Sequence, residues 1–341
     1  MRSTLQTLVV LALAVGLLAL FLYHVDLRSV GSAIAHAQPW WLMLSFATTL
    51  INLAIRAYRW QYLLDPLGKV RFSSAFRATA VGFAASTVLP ARAGEVIRPY
   101  FLARHEHMSA TGAFATIILE RLLDVVAVLV LLASYVFIFG RGLEATNPVA
   151  LGVLKWTGAT AAAGSLAALV ILFFLAGSPE RIGRATKRIA AVVPSFAASI
   201  ARVAEKFARG LGAIRSPSRL FVALVWSFPL WLSIAVGIWA VAVAFRLAIP
   251  FTGSFLIVAL LVLSVAVVPT PGAIGGFHAA FRYGATTFFG APDDAAVGAA
   301  IVLHVLSIVP SLLLGLYFAA QVGVNLSRMR ELAVTAPGDV A

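Results

Sequence analysis

The chain has 341 residues, 61% of them apolar and only 11% charged, against about 25% charged in a typical soluble domain. Lys and Arg outnumber Asp and Glu by 26 to 13. They fall in short segments between apolar runs, which excludes a basic nucleic-acid-binding domain and matches the positive-inside pattern of membrane proteins. With no cysteine, disulfide frameworks, thiolate nucleophiles and cysteine metal sites are excluded too.

Several apolar runs reach the ~20 residues that cross a bilayer as a helix, and the short alternating segments of a transmembrane barrel are absent. The fold expected is an all-α polytopic membrane protein with about six to eight transmembrane helices. The first run covers 5–23. Ala35-His36-Ala37 mimics a signal-peptidase site but lies well beyond that run, whereas a signal peptide keeps its apolar core next to the cleavage site. The run is therefore expected to be a retained helix. Residues 24–38 read as an outer loop, and Pro39-Trp40-Trp41 as the interfacial start of a second helix reaching about residue 64. Arg56, Arg59 and Trp60 near its end, followed by Asp65, Lys69 and Arg71, make a basic turn expected in the cytoplasm. Arg56, Tyr58, Arg59 and Trp60 either contact lipid phosphate or anchor the helix at the interface.

Residues 72–89 are rich in Ala, Ser, Thr and Gly, which favour close helix packing. The helix then breaks at Pro90-Ala91-Arg92-Ala93-Gly94, resumes briefly to Leu102, and meets a second polar turn at Arg104-His105-Glu106-His107. If both turns are cytoplasmic, 72–103 goes in and comes back, and two complete spans of about 15 residues each would be too short. A re-entrant hairpin is expected. A helix over 111–139 carries Glu120, Arg121 and Asp124, and 151–176 forms the next. The basic segment 178–219, its charges interleaved with apolar residues, reads as one or two amphipathic helices on the membrane surface. A helix follows over 220–245. A second hairpin over 254–289 breaks at Pro269-Thr270-Pro271-Gly272-Ala273-Ile274-Gly275-Gly276, and a last helix over 295–323 leads to a tail at 326–341. Both termini are then cytoplasmic. About 50 residues separate Trp40 from Pro90 and Leu220 from Pro269 alike, so 39–177 and 220–325 read as inverted repeats with paired broken helices.

Charge at such depth is costly and marks candidate sites. Arg92 and Arg98, with Glu95 between them, suit an anion held bidentately by guanidinium groups, or else Glu95 neutralises one Arg in a buried pair. Glu120 and Asp124 share a helix face, and Arg121 can reach Asp124; these residues either balance arginines or handle a coupling proton. Pro269, Gly272, Gly275 and Gly276 let backbone approach a ligand or the other hairpin. They lack the strand–helix setting of a dinucleotide loop. His278 and Arg282 lie four residues apart as candidates for charge balance or coupling, and His304 reads as a packed polar group. His105 and His107 have no evident third ligand, so no metal is expected, and no cofactor.

Arg56-Ala57-Tyr58-Arg59-Trp60, Leu89-Pro90-Ala91-Arg92-Ala93-Gly94-Glu95 with Arg98, Leu119-Glu120-Arg121-Leu122-Leu123-Asp124 and the 269–277 segment, in that order, resemble the lysylphosphatidylglycerol synthase transmembrane, or flippase-like, family. They are similar to the membrane domain of multiple peptide resistance factors, and stand-alone members include hopanoid-associated proteins. The resemblance covers the chain from its second helix to its last. It implies two re-entrant hairpins meeting at the centre, lipid translocation, and a site at Arg92, Glu95, Arg98, Glu120, Arg121, Asp124 and 269–276. His278 departs from a pattern that favours an acidic residue there. The chain ends soon after its last helix, so a soluble aminoacyl-transfer domain, and with it lysyl-lipid synthase activity, is not expected.

The function expected is translocation of a phospholipid or other anionic or modified lipid across the bacterial inner membrane, without enzymatic activity. No P-loop supplies ATP drive, and a homo-oligomer is left open. Two other readings are a membrane-embedded lipid-modifying enzyme using Glu120 or Asp124 as base, and a non-transporting partner in a lipid-synthesis complex.

Overall fold

A computed structural model describes residues 26–89, 92–139, 148–177, 194–267 and 270–321. The expected first helix at 5–23, Pro269, the first part of the basic segment and the tail lie outside the described residues. Every regular element among the described residues is helical.

The 24–38 stretch, expected as a loop, contains helix α1, Leu27–Ala35. Asp26 nucleates it: one carboxylate oxygen accepts from the Arg28 N–H at 2.9 Å and the other from the Ser29 hydroxyl at 2.8 Å, which is how an N-cap satisfies orphan donors. The Ser29 hydroxyl and the Arg28 N–H hold this carboxyl below its ordinary pKa. α2, Pro39–Leu64, starts with proline at its first position, where the missing N–H has no partner to lose.

α3, Phe72–Val88, and α4, Gly94–Glu106, are two short helices packed on each other. α4 runs past Leu102 because the next break is at His107, whose left-handed backbone (φ 51°) ends it. α5, Ala110–Ser134, is capped by Ser109, whose hydroxyl oxygen accepts from the Gly112 N–H at 3.1 Å. α6 is Pro148–Gly177, and α7, Pro194–Gly210, leads into a tight turn at Leu211–Arg215. α8 is Pro217–Ala244, and α9, Gly253–Val267, packs on α10, Gly276–Phe289. α11, Asp293–Gln321, closes the described fold.

Among the described helices α2, α5, α6, α8 and α11 are long and apolar enough to cross a membrane. α3, α4, α9 and α10 have only 13 to 17 residues, about 20–25 Å at 1.5 Å per residue, short of the ~30 Å hydrocarbon layer. The chain is a multi-pass, all-α membrane protein. Its exposed apolar side chains, such as Val153, Trp156, Leu166 and Phe174 on α6, are what a bilayer solvates.

The core places α2 along α8 and α11 along α3. One apolar cluster joins α5, α8, α9, α10 and α11; a second joins the end of α2 to α3, α4 and the start of α5. Between them the two hairpin ends meet: Arg92 Nη2 donates to the Val265 carbonyl of α9 at 3.1 Å, and the Pro271–Ala273 turn rests on α3.

Candidate functional site

A polar stripe runs down α2 at helical spacing: Ser45, Thr48, Asn52, Arg56 and Arg59. In an apolar helix such a stripe faces protein, because lipid would leave it unsatisfied. Arg56 is accordingly 5% exposed and Arg59 fully buried. Neither is an interfacial anchor, the alternative the basic turn suggested.

Arg59 lies at the centre. Its Nη1 donates to Asp124 Oδ1 and to the Ser227 hydroxyl, both at 2.7 Å, and its Nη2 is 3.2 Å from Glu120 Oε1. Arg98 reaches the same Glu120 oxygen from α4 at 3.2 Å, with its guanidinium 3.9 Å above the Trp60 ring, a desolvated cation–π contact worth about 2 kcal/mol. Trp60 is itself fixed by an N–H bond to Thr116 at 3.0 Å.

Asp124 also accepts from the Trp231 indole N–H at 3.1 Å. Arg121 lies 3.3 Å and Arg56 3.7 Å from its other oxygen. Arg56 Nε donates to Asn52 at 2.9 Å, and Asn52 is held in turn by the Leu230 carbonyl and Ser233. α2, α4, α5 and α8 thus each contribute.

The charges do not balance. Among the described residues, Arg56, Arg59, Arg98 and Arg121 surround only Glu120 and Asp124, and Glu95, 3.7 Å from Arg121, is offset by Arg92 at 3.8 Å. Among the described residues, Arg98 Nε and Nη2, Arg59 Nε and Arg56 Nη1 have no hydrogen-bond acceptor, and Glu120 Oε2 and Asp124 Oδ2 have no donor. A buried ion pair repays its desolvation only when its geometry is completed by further bonds. The accessible edge of the cluster is Arg121, Glu95 and Arg92, whose side chains are 34%, 32% and 42% exposed.

The fold therefore brings Arg56, Arg59, Arg98, Glu120, Arg121 and Asp124 together and reaches Glu95 through Arg121. Arg92 sits at the hairpin junction, in left-handed backbone (φ 54°). Asn52, Thr116, Ser227 and Trp231 were not foreseen. The i, i+4 placement of Asn52 before Arg56, and of Ser227 before Trp231, was the available signal.

The second hairpin contributes no charge to the cluster. Gly272 and Gly275 have φ of 60° and 87°. His304 Nε2 lies 2.7 Å from the Gly272 carbonyl, so this nitrogen carries the proton and donates. His278 Nδ1 accepts from the Gly275 N–H at 3.3 Å, covering an orphan donor at the start of α10. The two rings are 4.4 Å apart. Arg282 forms a bidentate pair with Asp293 at 2.6 and 2.5 Å, tying α10 to the start of α11. Among the described residues no group of three His, Asp or Glu could hold a metal ion.

Residues 7–315 match the family described as the lysylphosphatidylglycerol synthase TM region. A UPF0104 membrane protein of Methanocaldococcus jannaschii is 25% identical over 126 residues, which cover 36% of this chain and 37% of that protein. That match thus spans little more than a third of the relative's length. The chain belongs to the lysylphosphatidylglycerol synthase transmembrane-region family.

Proposed function

We propose that this protein is a flippase-like transporter that moves a lipid with an anionic or modified headgroup between the leaflets of a bacterial inner membrane. The observation that carries the reading is the buried cluster of four guanidinium groups around two carboxylates. A phosphate-bearing headgroup would enter at Arg121, take up the guanidinium donors left without acceptors, and leave its acyl chains in the bilayer. Bidentate phosphate binding is what Arg does better than Lys. Glu120 and Asp124 act as the scaffold that keeps four like charges at one depth.

In this reading α3–α4 and α9–α10 are re-entrant hairpins of two inverted repeats, entering from opposite sides with both termini cytoplasmic. The first supplies Arg98, Glu95 and Arg92, and the second supplies compliant backbone at 270–276. In this reading no bond change is catalysed, and Asp124 and Glu120 serve as partners of the arginines rather than as bases.

The test is translocation of headgroup-labelled phosphatidylglycerol in proteoliposomes. Wild-type protein should accelerate it over empty vesicles, and Arg121→Gln, a partly exposed position, should slow it by about tenfold, one charge-assisted contact's worth. Wild-type vesicles that are no faster than empty ones, for anionic and zwitterionic labels alike, would sink the transport reading.

A further inference from the structure

A second basic feature lies apart from the central cluster, at the end of the bundle where α2 finishes and α5 and α8 begin. A cavity of about 560 Å³ opens there, with Lys206 and Arg209 from α7 and Arg215 from the following turn on its rim. Ser109 faces it from the start of α5, and Leu67 and Ala176 form part of an apolar wall.

The cavity is built on rigid contacts. α7 meets α5 where Gly210 crosses Gly112, so closely that a Cβ on Gly210 would overlap the Gly112 carbonyl oxygen. Leu67 also packs against Gly112.

The nearby carboxylates are already engaged. Asp65 is paired with Arg219 at 2.6 Å and Glu205 with Arg209. Among the described residues no carboxylate pairs with Lys206 or Arg215. Lys206 and Arg215, the Arg209 guanidinium paired with Glu205, and the Ser109 hydroxyl therefore converge on one concavity with an apolar wall, an arrangement suited to a phosphate group carrying a short polar or glycerol moiety.

We infer that this cavity is a second anion site, one that binds a phosphate-bearing group at the membrane surface, either the headgroup of a lipid in the adjoining leaflet or a soluble phosphate ester. It does not depend on the central cluster, since none of its lining residues belongs to that cluster.

The experiment titrates phosphatidylglycerol into the detergent-solubilised full-length protein and reads bound lipid by native mass spectrometry, with sn-glycerol 3-phosphate and inorganic phosphate as competitors. Lys206→Gln/Arg209→Gln/Arg215→Gln changes exposed side chains only and should weaken the tightest lipid-binding step by about tenfold or more. Lys69→Gln/Arg71→Gln/Arg104→Gln, which removes equal charge elsewhere, should leave this step within about twofold of wild type. Competition by glycerol phosphate identifies a soluble ester as the occupant, and its absence identifies the lipid. Equal lipid binding by wild type and the rim variant, or equal loss in the charge-matched control, would overturn the inference.

Discussion

The break between α3 and α4 and the break between α9 and α10 both interrupt a helix beside the other, but they are closed by different means. At the first, Gly82 and Gly94 bring backbone onto backbone: a Cβ on Gly94 would overlap the Gly82 carbonyl oxygen and the Ser86 side chain. At the second, the equivalent close approach is Gly284 against the ends of Ile257 and Leu260, atoms that can move. The first hairpin carries charge into the cluster through Arg98, and the second carries positive-φ backbone and the His278 ring, which meets His304 of α11. The difference teaches that the charged hairpin is the fixed frame and the glycine-rich one the compliant partner. A guanidinium has to be held to be useful as a binding group, whereas a backbone turn works by giving way.

The comparison can be broken most sharply at Gly94. Gly94→Ala forces a methyl into main-chain atoms that cannot retreat, so the loss should exceed the ~3 kcal/mol upper end of ordinary overpacking; size-exclusion chromatography in detergent should show no monodisperse species. Arg59→Gln comes next. It leaves Asp124 and Glu120 short of their central partner and should cost roughly 3–5 kcal/mol, read as a lowered thermal midpoint.

Gly272→Ala should cost about 1–2 kcal/mol, because φ of 60° is strained for any residue with a Cβ. Its thermal midpoint should fall less than that of Arg59→Gln. Gly284→Ala should cost about 1 kcal/mol or less, since Ile257 and Leu260 can rotate aside. A Gly284→Ala protein that fails to fold as Gly94→Ala does would erase the distinction between frame and compliant partner.

Most of the helical layout was legible in the sequence because apolar runs and their Pro/Gly breaks are strong local signals. The ends of α3, α9 and α10 fall within a residue or two of their expected positions. α1 was missed because a nine-residue helix has too short an apolar face to stand out from a loop, and Asp26 as an N-cap was the overlooked cue. The acidic half of the site was read from Glu120 and Asp124 at i, i+4. The depth of Arg56 and Arg59 was not, because two arginines near an aromatic residue and a basic turn look like an interfacial anchor. Only the stripe continuing upward through Asn52, Thr48 and Ser45 separates the two cases. Partners supplied by distant segments, such as Ser227 on Arg59 and Trp231 on Asp124, depend on how α8 packs against α2 and α5, which no local pattern specifies. His278 and Arg282 share a face as expected, but one satisfies its own helix start and the other pairs with Asp293.

The central claim is that the arginine cluster holds an anionic headgroup. Its most direct test is an experimental density map of the protein prepared with phosphatidylglycerol. The account predicts phosphate density within hydrogen-bond reach of Arg121, with a guanidinium donor from Arg56 or Arg98 turned toward it. A map in which the cluster is closed by protein side chains alone, with lipid phosphate found only at the Lys206, Arg209 and Arg215 rim, would contradict it.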